Sequence, residues 1–259
     1  MATFNLNEVV FEKVKQASLY DLETKELMHR ITSIEDPSLN TSAEKEEVTN
    51  AQGETITEIF KAKKATFSGS NSLFSLDLAG SQFGAKKEVA SKDNKFINYT
   101  AETLTISNGQ VKLSKTPVDG GIQYIHIVAN GDIGESYAVG AAATENEAVV
   151  AADGTITVPT SVTEGKVYVE YPYESAEAVR LVNRAGEYPT AGELRILALF
   201  RDKCTDKTIL GTIICPKAKL NPESVDLSLT PTGKHPFEYT MMKDFCSDDD
   251  KLFEIVLSK

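Results

Sequence analysis

The sequence of 259 residues contains no tryptophan, only three cysteines and no apolar run of membrane-spanning length. Cys204, Cys215 and Cys246 are odd in number and lack C-x-x-C spacing, which argues against a disulfide framework and against a zinc ribbon. Cys215 lies in the apolar run TIICP and is predicted to be a core residue. The first residues, MATFNLNEVVFEKVK, carry too many charges for a signal peptide.

Basic residues are also scarce relative to acidic ones: 27 Lys and Arg stand against 38 Asp and Glu, for a net charge of −11. Phosphate backbones are repelled by such a chain, so it is a poor candidate for non-specific nucleic-acid binding. The length fits one large or two small domains and permits a core that needs no disulfides. We therefore expect a soluble, acidic, globular protein.

Catalytic signatures are missing as well. The sequence has no P-loop, no G-x-G-x-x-G after a strand, no G-x-S-x-G elbow and no H-E-x-x-H. The three histidines lie in separate segments, and nothing in the sequence brings them together. The run 248–250 of three aspartates lacks the spacing of a calcium loop, which favours a solvated turn. We predict no catalytic residues, no metal site and no cofactor.

Period-two alternation dominates the rest of the chain and predicts a mainly β protein. Segments 14–22 and 27–34 form a predicted hairpin, and further strands are predicted at 192–202, 208–220, 225–231 and 251–257. Between 101 and 172 short strands alternate with turn pairs such as Asn108-Gly109 and Asp153-Gly154, which are typical of hairpins. Segment 141–154 fits either a short helix or a loop.

One short amphipathic helix is predicted within SNSLFSLDLAGSQFG (70–84). Leu73, Leu76, Leu78 and Phe83 recur at helical spacing, and a serine or asparagine at 70–72 is placed to cap the start. Gly84 is typical of a residue that ends a helix. We expect this helix to pack its Leu/Phe face on a sheet.

Few apolar residues occur in the stretch EDPSLNTSAEKEEVTNAQ (35–52), and the segment 35–53 is therefore predicted to be a long loop. Compact domains rarely contain structureless loops longer than about 12–15 residues. Two interpretations stay open: a solvated excursion, which charge runs favour, or an arm that becomes ordered against another subunit. The residues concerned are Glu35, Asp36, Leu39, Glu44, Glu46, Glu47 and Val48.

The basic run KAKK follows at 61–64. Acidic residues surround it in the sequence, so it is interpreted as an edge strand blunted against aggregation or as an intersubunit charge partner. Lys61, Lys63 and Lys64 are the candidates for that second role.

The order of these features resembles the tail tube proteins of tailed bacteriophages. The likeness rests on an opening hairpin, an acidic loop, the phrase VTNAQGETITEIFKAKKATFSGSNSLFSLDLAGSQFG (48–84), and an end that runs CPKAKLNPESVDLSLTPTGKHPFEYTMMKDF to DDDKLFEIVL. It covers about 14–84 and 210–257. The middle departs from the shortest tube proteins and is interpreted as an insertion, giving a tail-tube β domain at 1–100 and 173–259 and a β-hairpin region at 101–172.

The resemblance implies a β-sandwich or barrel-like subunit with one packed helix. It implies hexameric rings that stack into a DNA-conducting tube in the virion tail, assembled in the host cytoplasm. Implied partners are further copies of the chain and other tail proteins, namely the tape measure, the terminators and, in a contractile tail, the sheath. DNA is only a repelled passing cargo, and no membrane is involved.

The resemblance also implies site residues. The segment 35–53 would reach a neighbouring subunit, and its carboxylates would set the register against the three lysines of 61–64. An acidic bore would let DNA slide, and Glu12, Glu54 and Glu58 are the lumen candidates. The inner tube of a contractile injection particle is a close variant. The alternative from another class is a monomeric β-sandwich module that decorates a virion or binds a cell surface.

Overall fold

The computed structural model describes residues 8–203, 206–222, 225, 227, 230, 233–246 and 249–258. This part of the chain is mainly β, with a nearly closed barrel, sandwich-like sheets and one α-helix, which confirms the predicted fold class. It forms two compact units. Unit 1 comprises 1–87 and 181–259, and unit 2 comprises 88–180, so the predicted insertion 101–172 lies within unit 2.

Unit 1 is built on one eight-stranded sheet in the order β2-β1-β14-β15-β16-β4-β3, in which β17 also pairs with β15. The predicted hairpin and the predicted strands 192–202 and 208–220 are confirmed. The elements are β1 (Val9–Asp21), β2 (Leu27–Ile31), β3 (Ile34–Thr49), β4 (Thr55–Asn71), α1 (Leu76–Phe83), β14 (Gly192–Asp202), β15 (Thr208–Leu220), β16 (His235–Met241) and β17 (Glu254–Ser258).

Alternation along the central strands makes the core of unit 1. In β14, Leu194, Ile196 and Ala198 are fully buried, whereas the residues between them are exposed or half-buried. Because antiparallel partners lie on the same face, Leu194 packs opposite Cys215 in β15, which confirms the predicted core position of that thiol.

Helix α1 lies where it was predicted, but it starts later. Its N-cap is Ser75, whose side chain accepts a hydrogen bond from the backbone of Leu78, and it ends at Gly84 in the left-handed conformation (φ 73°). The prediction of an N-cap at 70–72 is wrong, because Ser70 and Asn71 still belong to β4, where they pair with β16. Leu73 consequently lies outside the helix and is exposed.

The predicted long loop at 35–53 is wrong. Residues 34–49 form β3, which pairs with β4 from Ile34–Asn71 out to Thr49–Thr55 with three register shifts, and only the turn at 50–54 lies outside the two strands. The loop was predicted because the segment shows no apolar alternation. Apolar alternation arises when a strand buries one of its faces. Most of this hairpin buries neither face, so its strands show no such alternation.

Unit 2 contains a seven-stranded sheet in the order β6-β12-β8-β9-β10-β11-β7 and a two-stranded sheet of β5 and β13. Segment 141–154, left open between helix and loop, contains β10. The elements are β5 (Glu88–Val89), β6 (Phe96–Thr105), β7 (Gln110–Lys112), β8 (Tyr124–Ala129), β9 (Asp132–Val139), β10 (Glu147–Val150), β11 (Thr155–Thr157), β12 (Lys166–Ser175) and β13 (Val179–Arg180).

Several strands contribute fully buried residues to the core of unit 2: Ile125 lies in β8, Ile156 in β11, and Val167 and Val169 in β12. The end strands β6 and β7 of its large sheet are joined by the turn at Asn108 and Gly109, both of which have positive φ (52° and 73°). That pair has the backbone of a two-residue hairpin turn, as the sequence predicted.

Three sequence features fall wholly or partly outside the described residues: Cys204, Asp248, and most of the strand predicted at 225–231. Among the helices that the structure describes, none is long and apolar enough to cross a membrane.

Candidate assembly surface

The hairpin of β3 and β4 projects beyond the sheet of unit 1. β16 pairs with β4 only from Ala65 to Asn71, and every residue from 42 to 64 is exposed except the half-buried Asn50. We call residues 42–64 the arm. At about 3.3 Å per residue, the eight residues of β3 in the arm reach roughly 25 Å.

The tip of the arm is held by a side-chain turn. The carboxamide oxygen of Asn50 accepts hydrogen bonds from the backbone N–H groups of Gln52 (3.0 Å) and Glu54 (2.8 Å), and its amide donates to the Glu54 carboxylate (2.7 Å). Gly53 supplies the left-handed residue (φ 83°) that the reversal needs. The tip is therefore structured.

Apolar side chains lie on both faces of the arm. Ile56 is 65% exposed, Phe60 64%, Ile59 49% and Val48 38%. Ile59 and Phe60 are neighbours in the regularly paired part of β4 and therefore point to opposite faces, whereas Ile56 lies at a register shift between Thr55 and Thr57. A two-stranded hairpin that buries no core of its own is marginally stable in water, so this surface favours a contact with a partner.

Ion pairs cross the arm within one chain. Lys61 contacts Glu46 (2.5 Å), Lys64 contacts Glu44 (3.6 Å), and Lys45 contacts both Glu47 (2.7 Å) and Glu58 (2.6 Å). Glu47 raises the pKa of the Lys45 ammonium most, and Glu58 adds to the rise. Lys61 and Lys64 thus pair with the predicted carboxylates Glu46 and Glu44 inside a single hairpin, where solvent screens each exposed pair.

Lys63 differs from the other two predicted lysines. It lies at a bulge, where Ala62 has positive φ (51°) and the register shifts between the pairs Ser42–Lys64 and Glu44–Lys61. Within the described part of the chain no ion pair of Lys63 is found. Of the three lysines, it is the one without an ion pair in this part of the chain.

The base of the arm contains the remaining loop candidates. Leu39 pairs with Phe67 and packs on the core of unit 1. Glu35 and Asp36 both contact Lys234, at 2.7 Å and 3.3 Å, and Glu35 is the larger cause of the raised pKa of that lysine. These three residues therefore anchor the arm to its own subunit.

The lumen candidates are dispersed. Glu12 lies in β1 and contacts Arg201 (3.4 Å), whereas Glu58 lies along the arm and Glu54 at its tip. Glu12 and Glu58 are paired with cations of the same chain.

Two of the histidines converge, contrary to what the sequence indicated. His29 in β2 contacts Ser81 of α1 (2.7 Å), and His235 in β16 contacts Gln82 of α1 (2.7 Å). Because the two histidines lie about 200 positions apart in the chain, no local sequence pattern could show that both contact the same helix. Both imidazoles are buried and fasten the helix to the sheet.

The titratable groups of the described residues were compared with the needs of a metal site. No group of three or more His, Cys, Asp or Glu side chains is placed to hold a metal ion there. Burial raises the pKa of the Cys215 thiol to about 11, which keeps it protonated and inert. The most distinctive surface among the described residues is the arm, with its exposed apolar side chains.

The structure thus defines a mainly β protein with an exposed hairpin arm. A family model matches residues 9–254, nearly the whole chain, and the chain is a member of the YomU/Tube protein family. The family name indicates a phage tube protein, hence a structural virion component of a non-enzymatic class. No curated protein matches the chain.

Proposed function

We propose that this chain is a phage tail tube subunit that polymerises as stacked hexameric rings around a DNA-conducting bore. The family membership supports the tube, and the exposed arm with apolar side chains on both faces is the observation that carries the assembly. Rings close through a heterologous contact, in which one surface of the subunit meets a different surface of the next. The arm is such a surface.

The arm supplies affinity and register through different residues. Ile56, Ile59 and Phe60 bury their side chains against a neighbouring copy, and Lys63 supplies a charge whose partner lies in that copy. The intrachain pairs of Lys61 and Lys64 keep the arm straight before assembly. Assembly takes place in the host cytoplasm, and the tape measure, the terminators and, in a contractile tail, the sheath join the finished tube.

Carboxylates that line the bore repel DNA, so their position matters more than the net charge of the whole chain. Unit 1 has 25 acidic and 21 basic residues, a net of −4, whereas unit 2 has 13 and 6, a net of −7. Most of the acidic excess therefore belongs to unit 2. A repelling bore formed by unit 1 depends on where its carboxylates lie, with Glu12, Glu54 and Glu58 as the candidates.

The test is a variant with a short hairpin, in which an Asn-Gly turn replaces 43–63 between the paired residues Ser42 and Lys64. No core residue is removed, so the subunit stays folded by circular dichroism and thermal melting. Negative-stain images of the concentrated wild type should show rings or hollow rods, and the variant should give single particles.

Ile133→Ser is the control, because this equally exposed apolar residue lies in unit 2, outside the arm. It should assemble as the wild type does. Rods formed by the variant with the short hairpin, or a wild type that stays monomeric at every concentration, would contradict the proposal and favour a monomeric decoration module.

A further inference from the structure

The large sheet of unit 2 has one face turned away from its core. In β12, Val167, Val169 and Tyr171 point inward and are fully buried, so Tyr168, Glu170 and the residues that alternate with them point outward. In β6, exposed residues likewise alternate with half-buried ones from Tyr99 to Thr105, and in β8 Ile125 is buried between Tyr124 and His126. Three tyrosines lie on this outward face: Tyr99 in β6 (65% exposed), Tyr124 in β8 (57% exposed) and Tyr168 in β12.

The register places these tyrosines around Glu170. Tyr168 is two residues away on the same strand. Tyr99 pairs with Pro172, which makes it the diagonal neighbour of Glu170 at about 7–8 Å between Cα atoms. His126 forms the last pair between β8 and β12, with Tyr168, and Tyr124 lies two residues before it on the outward side of β8. The ring of His126 lies 6.1 Å from that of Tyr168.

Glu170 is exposed and has no ion pair or hydrogen bond within unit 2, every residue of which the structure describes. Two nearby carboxylates do have partners: Glu174, on the same face, contacts Lys95 (3.0 Å), and Glu102 accepts hydrogen bonds from Ser114. An unpaired carboxylate among tyrosine rings attracts a cation, because the faces of the rings carry negative potential. The net charge of −7 on unit 2 also attracts cations.

We propose that Glu170, Tyr99, Tyr124 and Tyr168 form a docking site for a lysine or arginine side chain of a partner protein. The cation lies against Glu170 and contacts the tyrosine rings. Phosphate-bearing partners such as nucleic acids are repelled by the same charges. An open sheet face suits a side chain presented by a protein surface, whereas free small molecules are usually held in concave pockets. This site lies outside the arm and does not depend on tube assembly.

The experiment measures fluorescence anisotropy of a labelled hexalysine peptide with the full chain at low salt, with a hexaserine peptide as the uncharged probe. Glu170→Gln should weaken hexalysine binding about fivefold or more, and Tyr99→Ala about threefold. Glu174→Gln is the matched control: it removes one charge from the same strand and face and should change affinity by less than about twofold. Both positions are exposed, so folding is preserved.

Equal loss of affinity in Glu170→Gln and Glu174→Gln would overturn the site, because binding would then follow net charge alone. Hexalysine binding that is unchanged in Glu170→Gln would overturn it too. So would competition by neutral maltohexaose, which would make the tyrosines a carbohydrate platform. Ring formation is imaged separately, so none of these three outcomes contradicts the proposed tube.

Discussion

The imidazole of His29 lies between two strands and the helix, with its Nε2 only 2.5 Å from the hydroxyl of Tyr239 in β16. Its Nδ1 contacts Ser81 of α1. The ring is 2% exposed, and burial lowers the pKa of His29 to about 4, although the carboxylate of Asp77 opposes that shift. One neutral histidine thus joins three elements of unit 1.

His235 completes this attachment of the helix. Its Nδ1 accepts the backbone N–H of Ser75, the N-cap of α1, so its Nε2 carries the proton that it donates to Gln82 (2.7 Å). Burial lowers the pKa of His235 as well. Protonation would set a ring N–H against the Ser75 N–H, and the start of the helix would lose its acceptor.

Acid should therefore destabilise unit 1. The unfolded chain takes up the proton near pH 6.5 and the folded chain only near pH 4, so the contribution of His29 is complete above pH 6.5 and is lost as the pH falls towards 4. The loss amounts to about 3 kcal/mol. Urea unfolding of the wild type and of His29→Gln, each from pH 7 to pH 4, measures it. The variant should be less stable at pH 7 and should lose less stability on acidification; parallel curves would contradict this prediction.

Tyr171→Phe should destabilise unit 2 by about 2 kcal/mol, because it removes a buried hydroxyl that bonds a charged group. That hydroxyl donates to Glu102 and accepts the backbone N–H of Lys115 (3.1 Å). Burial raises the pKa of Glu102, but hydrogen bonds from Ser114 and Tyr171 outweigh it and leave that pKa below its usual value. Chemical denaturation measures the loss.

Tyr173→Phe is the matched control for this hydroxyl. Tyr173 is half-buried on the same strand, and its hydroxyl accepts a longer bond from Asn98 (3.3 Å). Its loss should cost less than about 0.5 kcal/mol. Equal costs for the two variants would show that the contact between Tyr171 and Glu102 contributes nothing specific.

Gly211→Ala should cost about 1–3 kcal/mol through overpacking. A Cβ at Gly211 would lie 2.3 Å from the ring of Phe200 and 2.7 Å from Leu257, so both side chains would have to move. Gly186→Ala is the control, because a Cβ there meets no atom within 4 Å; it should be neutral or slightly stabilising. Thermal melting compares them, and a neutral Gly211→Ala would contradict the packing argument.

The double variant Ile56→Ser/Phe60→Ser should abolish assembly while the folded subunit keeps its stability within about 0.5 kcal/mol. Both side chains are exposed, so they contribute little to the fold of one copy. Sedimentation of concentrated protein should shift from large assemblies to monomers. Thr55→Ser/Thr57→Ser, on the same strand, should assemble normally. Rods that persist in the apolar double variant would remove these two residues from the contact.

Short-range features were predicted well because their cause is local. The turn at Asn108 and Gly109 follows from two residues that tolerate positive φ, and strand 192–202 follows from alternation that buries one face. Gly84 was recognised as the end of α1 for the same kind of reason. The N-cap was misplaced because the pairing of Asn71 with His235 extends β4, and that partner is distant in sequence.

Local sequence patterns did not predict the arm. The sequence by itself determined that the chain is mainly β, acidic and without a catalytic signature, since composition and alternation carry that information. Only the tertiary structure decided that 34–49 is a strand, that Lys61 pairs with Glu46 in the same chain, and that Glu170 lies among tyrosines. The physical reason is that cross-strand neighbours are chosen by register between distant segments. A strand that buries neither face also leaves no periodic trace in its residues.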